Sequence, residues 1–305
     1  MISTRTTARA LLVLALFGLA AGTAAALPPP EPPGVKGGHK PPPKNQIVFP
    51  VLGSVEFSDD YGAPRPQGRH EGNDILAPRR ALALAAEPGR VRFFTGSGRA
   101  GCMLYLDGRS GTTYLYVHLN NDLTTGNDNR GGCKNGVAFP RGLKTGVRVQ
   151  AGQPVGFVGD SGDADGVHPH LHFEVHPRGG RSTNPYPYLL AAKRLLFVAP
   201  TGAEVTLTLS GSVVSAKGEL LRLRVNTLRV QPGALSLRRL DRPLTLTVPV
   251  YATIERGPNG IATALVAAKR GERVTVRTEH AIVTNDAQAG RDGVISAARI
   301  TLPPS

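Results

Sequence analysis

The sequence predicts a mostly-β protein in two parts, an antiparallel-sheet domain over residues 47–198 and a small β-barrel or β-sandwich over residues 203–305. Three observations predict it. From about Ile47 onward, short runs of Val, Phe, Tyr and Leu are broken by Gly or Pro, as strands and turns require. Beyond about Glu204, apolar and polar residues alternate, as in Leu221 to Val225, Leu244 to Val250 and Arg273 to Arg277. Such alternation marks half-buried antiparallel strands. Helical periodicity is weak; Pro187 to Phe197 reads as a single helix that closes the first domain.

Ahead of these parts, Arg5 and Arg9 precede a short apolar run, Leu11 to Ala21, and Ala24-Ala25-Ala26 fits an A-x-A cleavage pattern. Residues 1–26 therefore read as an export leader, too short in its apolar part to span a bilayer comfortably. Residues 27–46 are rich in Pro and Gly and read as an extended tether. No stable membrane insertion is expected after the leader is removed.

Within the first domain, Val91 to Phe94, Cys102 to Leu106, Thr113 to Leu119 and His170 to Val175 read as strands. The formal charge of the chain is +14. Loss of the leader would take two Arg and no acid with it, leaving +12. That balance concerns partners and solubility, not fold. Trp is absent and no basic run is interleaved with stacking residues, which excludes the usual single-strand nucleic-acid binder. An anionic cell envelope is the expected partner, beside the plainer reading of solubilising charge. Cys102 and Cys133 are the two cysteines. In an oxidising compartment they read as one disulfide tying a Gly/Asn-rich loop to a strand, two free thiols being the alternative.

Six of the eight histidines lie between residues 70 and 176, and this concentration directs attention to three segments. In His70-Glu71-Gly72-Asn73-Asp74, an extended chain would put His70 and Asp74 on one face, with Gly72 keeping the space between them clear. Imidazole and carboxylate are both zinc ligands. In His170-Leu171-His172-Phe173-Glu174-Val175, strand alternation puts His170, His172 and Glu174 on one face and the apolar residues on the other. The two imidazoles then stand roughly 6.6 Å apart along the strand, far enough for different tasks. In Tyr114 to Leu119, alternation groups His118 with Tyr114 and Tyr116, opposite Leu115, Val117 and Leu119.

Taken in order, His70-x-x-x-Asp74, Tyr116-x-His118-Leu119 and His170-x-His172 resemble the lysostaphin/LytM-type zinc metallopeptidase family. Arg69 to Gly72, Val149 to Gly156 and Asn184 to Leu189 agree with that family's surrounding phrases. The resemblance covers roughly residues 47–192. It implies one Zn²⁺ held by His70, Asp74 and His172 with a fourth position open, and His118 and His170 as the catalytic pair. It further implies a secreted, cell-wall-associated endopeptidase acting on amide bonds of peptidoglycan stem peptides or cross-bridges. The second domain carries no such constellation, and its His280 reads as a surface residue.

Other readings compete. A non-catalytic LytM-like protein that binds wall or activates another hydrolase would have lost some of these five residues, and all five are present. Gly159-Asp160-Ser161-Gly162 echoes a serine-protease nucleophile segment, yet lacks the matching His context. A zinc D,D-carboxypeptidase usually spaces its first His and Asp more widely. Asp160, Asp163 and Asp165 miss the calcium-loop register and read as a solvated turn. His168 is expected at the surface or behind the ligands, and His176 exposed at its strand end. The insertion from Asn120 to Arg148 either walls a groove or decorates the domain elsewhere. The sequence leaves the oligomeric state, the bond cleaved and the role of the second domain open.

Overall fold

The computed structural model describes residues 46–304 apart from 67, 234–235, 239, 241 and 258. The expected leader and nearly all of the tether lie outside the described residues.

The first half is built from ten strands: β1 (Pro64–Arg65), β2 (Gly68–Arg69), β3 (Asn73–Leu76), β4 (Leu82–Leu84), β5 (Gly89–Ser97), β6 (Gly101–Gly108), β7 (Thr113–Leu119), β8 (Arg148–Val149), β9 (Pro154–Phe157) and β10 (His170–His176). Six form an antiparallel sheet in the order β3-β10-β7-β6-β5-β8; β1 pairs with β2 and β4 with β9. One face of the sheet packs on the main core, where Tyr114, Tyr116, Leu171, Phe173 and Val175 join Ile47, Phe49, Ala83 and Val155. On the opposite face Leu115 and Val117 pack with Met103 and Tyr105. That second face carries the histidines of β10, because His172 pairs with Val117 and Glu174 with Leu115 across the strands.

The expected helix over 187–197 is shorter. It spans Tyr186–Ala191 (α1), and Ala192 is already extended. Lys193 instead pairs with the start of the domain: its N–H donates to Ile47 O and its carbonyl accepts from Phe49 N. Leu196 and Phe197 then enter the core of the second half. Tertiary pairing and burial thus override a weak helical pattern.

The second half contains β11 (Glu204–Lys217), β12 (Leu220–Gln231), β13 (Ser236–Arg238), β14 (Leu244–Thr247), β15 (Thr253–Arg256), β16 (Ile261–Ala262), β17 (Arg273–Thr278), β18 (Ala281–Ile282) and β19 (Ala297–Leu302), with a short helix α2 (Asn285–Gln288). They make one sheet in the order β13-β12-β11-β17-β19-β15-β16, with β14 also on β12 and β18 on β11. Pairing is antiparallel except between β15 and β19. Thr247, at the end of β14, bridges Ser296 beside β19, so the sheet curls back on itself as a small barrel. The alternation read from the sequence is carried out in burial: Leu221, Leu223 and Val225 face the core while Arg222 and Arg224 face out.

Cys102 of β6 and Cys133 of the insertion form a disulfide with a Cα–Cα distance of 5.1 Å and a sequence separation of 31. In the chain-entropy model, a cross-link closing a loop of that size stabilises by about 3–4 kcal/mol. Cys102→Ala with Cys133→Ala is therefore expected to lose that amount in denaturant titrations. Adding reductant to the unmutated chain should reproduce the loss; no change in either would show that the bridge contributes nothing.

Candidate metal and catalytic site

The hairpin of β1 and β2 delivers the chain to His70, a bend at Gly72 turns it, and β3 carries Asp74. This corrects the extended reading of the segment. Four residues of strand would separate His70 and Asp74 by ~13 Å, too far to meet at one ion. The bend brings His70 Nε2 to 3.1 Å from Asp74 Oδ1. Gly72 is required there, since a Cβ would lie 2.6 Å from His172 Nε2 and 2.8 Å from the Phe173 carbonyl. His172 comes from β10, paired with Asp74 across the sheet. Its Nδ1 lies 3.0 Å from Asp74 Oδ1 and 2.9 Å from His70 Nε2.

His118 reaches this group by an irregularity that alternation does not reveal. On strict alternation it would share the core face with Tyr114 and Tyr116, away from the histidines of β10. The register of β6 against β7 instead shifts between Cys102 and Leu104. His118 sits in that stretch with φ 59°, in the left-handed region. The turn moves Leu119 onto the core side with Tyr116 and swings the His118 ring to the other face. Its centroid is 5.1 Å from that of His170 and 5.9 Å from that of His172. A non-glycine residue held in this conformation costs on the order of 1–3 kcal/mol and persists only where its surroundings enforce it.

Each imidazole is anchored by one nitrogen and presents the other. His70 Nδ1–H donates to Asp60 O at 2.9 Å, and His118 Nδ1–H to Ser161 O at 2.8 Å. His170 Nδ1–H donates to His168 O at 2.9 Å, and His172 Nε2–H to Glu174 Oε1 at 3.0 Å. Carbonyls and carboxylates only accept, so these partners fix the tautomers of the neutral rings. The remaining nitrogens of His70 and His172 then converge with Asp74 Oδ1, an arrangement that favours a cation between them, a proton or a metal ion.

The electrostatics agree. Burial disfavours charge on His172, but its hydrogen bonds to Asp74 and Glu174 outweigh burial and push its pKa up to about 10. Burial likewise works against charge on Asp74, yet the His172 and His70 hydrogen bonds hold its carboxyl far below the usual range. Two nitrogens and one carboxylate oxygen form a zinc-type donor set, and their 2.9–3.1 Å separations lie close to the ~3.3 Å edge of a tetrahedron with ~2.0 Å bonds. The residues present fit the ion. His118 differs: burial first, then the His172 and His170 rings, lower its pKa to about 3, so it stays neutral.

Sequence reasoning missed the supports. Glu174 was placed on the correct face without a role. It is buried, it accepts the His172 Nε2–H hydrogen bond, and its other oxygen lies 2.6 Å from His176 Nε2. Its two-residue spacing from His172 was the available signal. His176, expected to be exposed, is buried and also donates through Nδ1 to Gly180 O at 2.7 Å. Arg65 of the hairpin holds the second oxygen of Asp74 at 2.8 Å. His168 is exposed, and its carbonyl serves the site.

Ser161 is no nucleophile: its Oγ is buried, donating to Leu119 O and accepting from Cys102 N. Asp160 does not belong to a solvated turn. Asp160 and Asp122 are fully buried around Arg79, whose Nη2 lies 2.7 Å from Asp160 Oδ2 and whose Nη1 contacts both carboxylates. This triad joins the insertion to the loop that carries Ser161. Nearby, Asn127 and Asn129 donate to Asp165 at 2.7 and 2.9 Å, so the insertion adjoins the loop whose Asp163 lies 3.8 Å from His118 Nε2. Arg79→Met strands two buried carboxylates and is expected to cost about 3–5 kcal/mol by chemical denaturation. A loss under about 1 kcal/mol, the scale of an exposed pair, would show that the triad is solvated.

No protein-family model matches the chain. An L-Ala–D-Glu endopeptidase of Bacillus subtilis (strain 168) is 27% identical over 162 residues, 50% of this chain and 44% of that protein. The chain thus spans less than half the length of that curated relative. The catalytic domain of the antimicrobial peptidase lysostaphin from Staphylococcus simulans is 22% identical, over 45% of this chain and 92% of that one, with a TM-score of 0.35. A mutant catalytic domain of the prophage-encoded M23 protein EnpA from Enterococcus faecalis is 27% identical, over 46% and 95%, with a TM-score of 0.34. Through its first half the chain is thus similar in sequence to peptidases of the lysostaphin/LytM (M23) type, and it carries their ordered His-x-x-x-Asp and His-x-His motifs.

Proposed function

We propose that the chain is an extracytoplasmic zinc-dependent endopeptidase that hydrolyses amide bonds in the peptides of peptidoglycan. The observation that carries the proposal is the convergence of His70 Nε2, Asp74 Oδ1 and His172 Nδ1, with the rings of His118 and His170 alongside. On this reading residues 47–198 form the peptidase part and residues 203–305 a β-domain whose core also takes in Leu196 and Phe197, behind a leader over 1–26 and a tether over 27–46.

His70, Asp74 and His172 would hold Zn²⁺, which when bound supplies a Lewis acid that polarises the scissile carbonyl and acidifies an attacking water. His118, kept neutral by burial, accepts a proton at Nε2 and returns it to the leaving amine. His170, whose Nδ1–H stays on the His168 carbonyl, presents beside His118 a bare Nε2 that accepts a hydrogen bond from the attacking water and orients it. Glu174 and Asp60 orient the ligand rings and fix which nitrogen each presents.

The name of the Bacillus relative points to the L-Ala–D-Glu bond of the stem peptide as the first candidate for cleavage. An extracytoplasmic setting is supported by the Cys102–Cys133 bridge, since disulfides persist in oxidising compartments. The test is zinc content together with release of soluble fragments from purified peptidoglycan, with and without chelator. The expected result is about one zinc per chain and chelator-sensitive release, with mass spectrometry of the fragments identifying the bond. Neither zinc nor release would overturn the enzyme reading in favour of a wall-binding module.

A further inference from the structure

The outer face of the second-half sheet carries an arrangement that the peptidase reading leaves unused. Across β12, β11 and β17, Arg224 stands opposite Ser212, and Ser212 opposite Arg273. One step along the sheet, Arg229 stands opposite Thr208, Thr208 opposite Arg277, and Arg277 opposite Arg299 of β19. Between these rows lies a row of hydroxyls, Thr227, Ser210 and Thr275. Arg222 extends the face at the end where it pairs with Ser215. All six arginines are exposed.

Neighbouring strands lie ~4.8 Å apart, so the guanidinium groups share a patch four strands wide. Among the described residues none of the six has a carboxylate partner. The four strands contain a single acid, Glu204, at the start of β11. Of the other acids of this half, Glu272 holds Arg256 and Asp286 faces Arg291, while Asp292 lines a pocket at the edge of the face together with Arg222. Like charges directly opposite one another destabilise a sheet, so Arg277 against Arg299 is a cost that folding alone does not call for. A ligand that carries regularly spaced negative charge removes it.

We infer that this arginine face is the docking surface for an anionic phosphodiester polymer of the cell envelope. Arginine forks match phosphate oxygens geometrically, and the intervening Ser and Thr hydroxyls add donors. Nucleic acid has the same phosphate chemistry, but single-strand readers stack bases on aromatic rings. Residues 203–305 hold one aromatic residue, Tyr251, which belongs to none of these strands. A polymer without bases is therefore the better fit. The inference rests on the envelope setting proposed above and adds to it a means of holding the peptidase part at the wall.

The test uses the full chain on purified cell walls that retain their phosphodiester polymer, and on the same walls stripped of it by hydrofluoric acid. Co-sedimentation is measured over a series of salt concentrations. Stripped walls should bind the unmutated chain about 10-fold more weakly or worse. The variant R224Q/R229Q/R273Q/R277Q should show the same loss on intact walls. Its log–log salt slope should be shallower by roughly 0.7 per arginine, the single-strand value. The matching four-lysine variant should keep the salt slope, because it keeps the charge, and bind between the glutamine variant and the unmutated chain, because it loses the guanidinium fork. An unchanged melting temperature and unchanged hydrolysis of soluble wall peptides by the glutamine variant separate this surface from the catalytic reading. A chain that hydrolyses nothing would still bind intact walls if the surface is correctly assigned. Equal binding to stripped walls, full binding by the glutamine variant, or tighter binding to duplex DNA than to intact walls would overturn the inference.

Discussion

His172→Ala should leave the chain without metal and without activity, the largest effect expected of any single change. In the proposed site His172 would supply one of three protein donors, and it is tied to both others, with its Nδ1 at 3.0 Å from Asp74 Oδ1 and 2.9 Å from His70 Nε2. Removing a residue that only orients a ligand typically costs 10–100-fold in metal affinity, so loss of the ligand itself must exceed about 100-fold. Glu174→Gln provides the graded comparison. It keeps all three donors but substitutes an amide for the carboxylate that takes the His172 Nε2 proton at 3.0 Å. That variant should hold zinc 10–100-fold more weakly in chelator competition while its fold is unchanged. Zinc per chain after dialysis, together with fragment release, checks both. If His172→Ala retained about one zinc per chain, the ligand set would have to be redrawn.

Much of this was legible in the residues, and the parts that were not have a common physical cause. Periodicity reports which face a side chain takes only while the backbone stays regular. Along β10 it does, and His172 and Glu174 were placed correctly against Leu171 and Phe173. At Gly72 the chain bends and at His118 it enters the left-handed region, so residues that an ideal strand would hold apart, or turn to the core, are brought to one site. Neither event has a strong local signature, since positive φ is uncommon for any non-glycine residue, histidine included, although histidine is enriched there. The supports were hidden for another reason. Asp60, Arg65 and Arg79 act on partners 9 to 81 positions away, and pairings at that range come from the sheet order rather than from local pattern. The helix over 187–197 stopped at Ala191 because Lys193 found backbone partners at Ile47 and Phe49, again a long-range effect.

His118→Ala should have the opposite profile to the ligand variant, keeping zinc and losing turnover. Its side chain belongs to none of the three converging donors, and its anchor is the Ser161 carbonyl at 2.8 Å, so the metal donors stay in place. A positioned general base or acid typically contributes 10²–10⁴-fold, and kcat on a soluble wall peptide should fall by about that factor while zinc per chain is unchanged. A second comparison isolates the backbone. In an ordinary strand Gly is less stable than Ala by about 0.5–1 kcal/mol. At φ 59° the order should invert, because an L-residue in the left-handed region costs roughly 1–2 kcal/mol that Gly avoids. His118→Gly should therefore unfold at higher denaturant than His118→Ala, with both equally inactive. The inversion ties the loss of regularity in β7 to the placement of the His118 ring. If Ala proved the more stable of the two, the strain would be absent, and the account of how the chain presents His118 would fail. If either variant kept full turnover, His118 would be no part of the proton path, and His170 would have to serve alone.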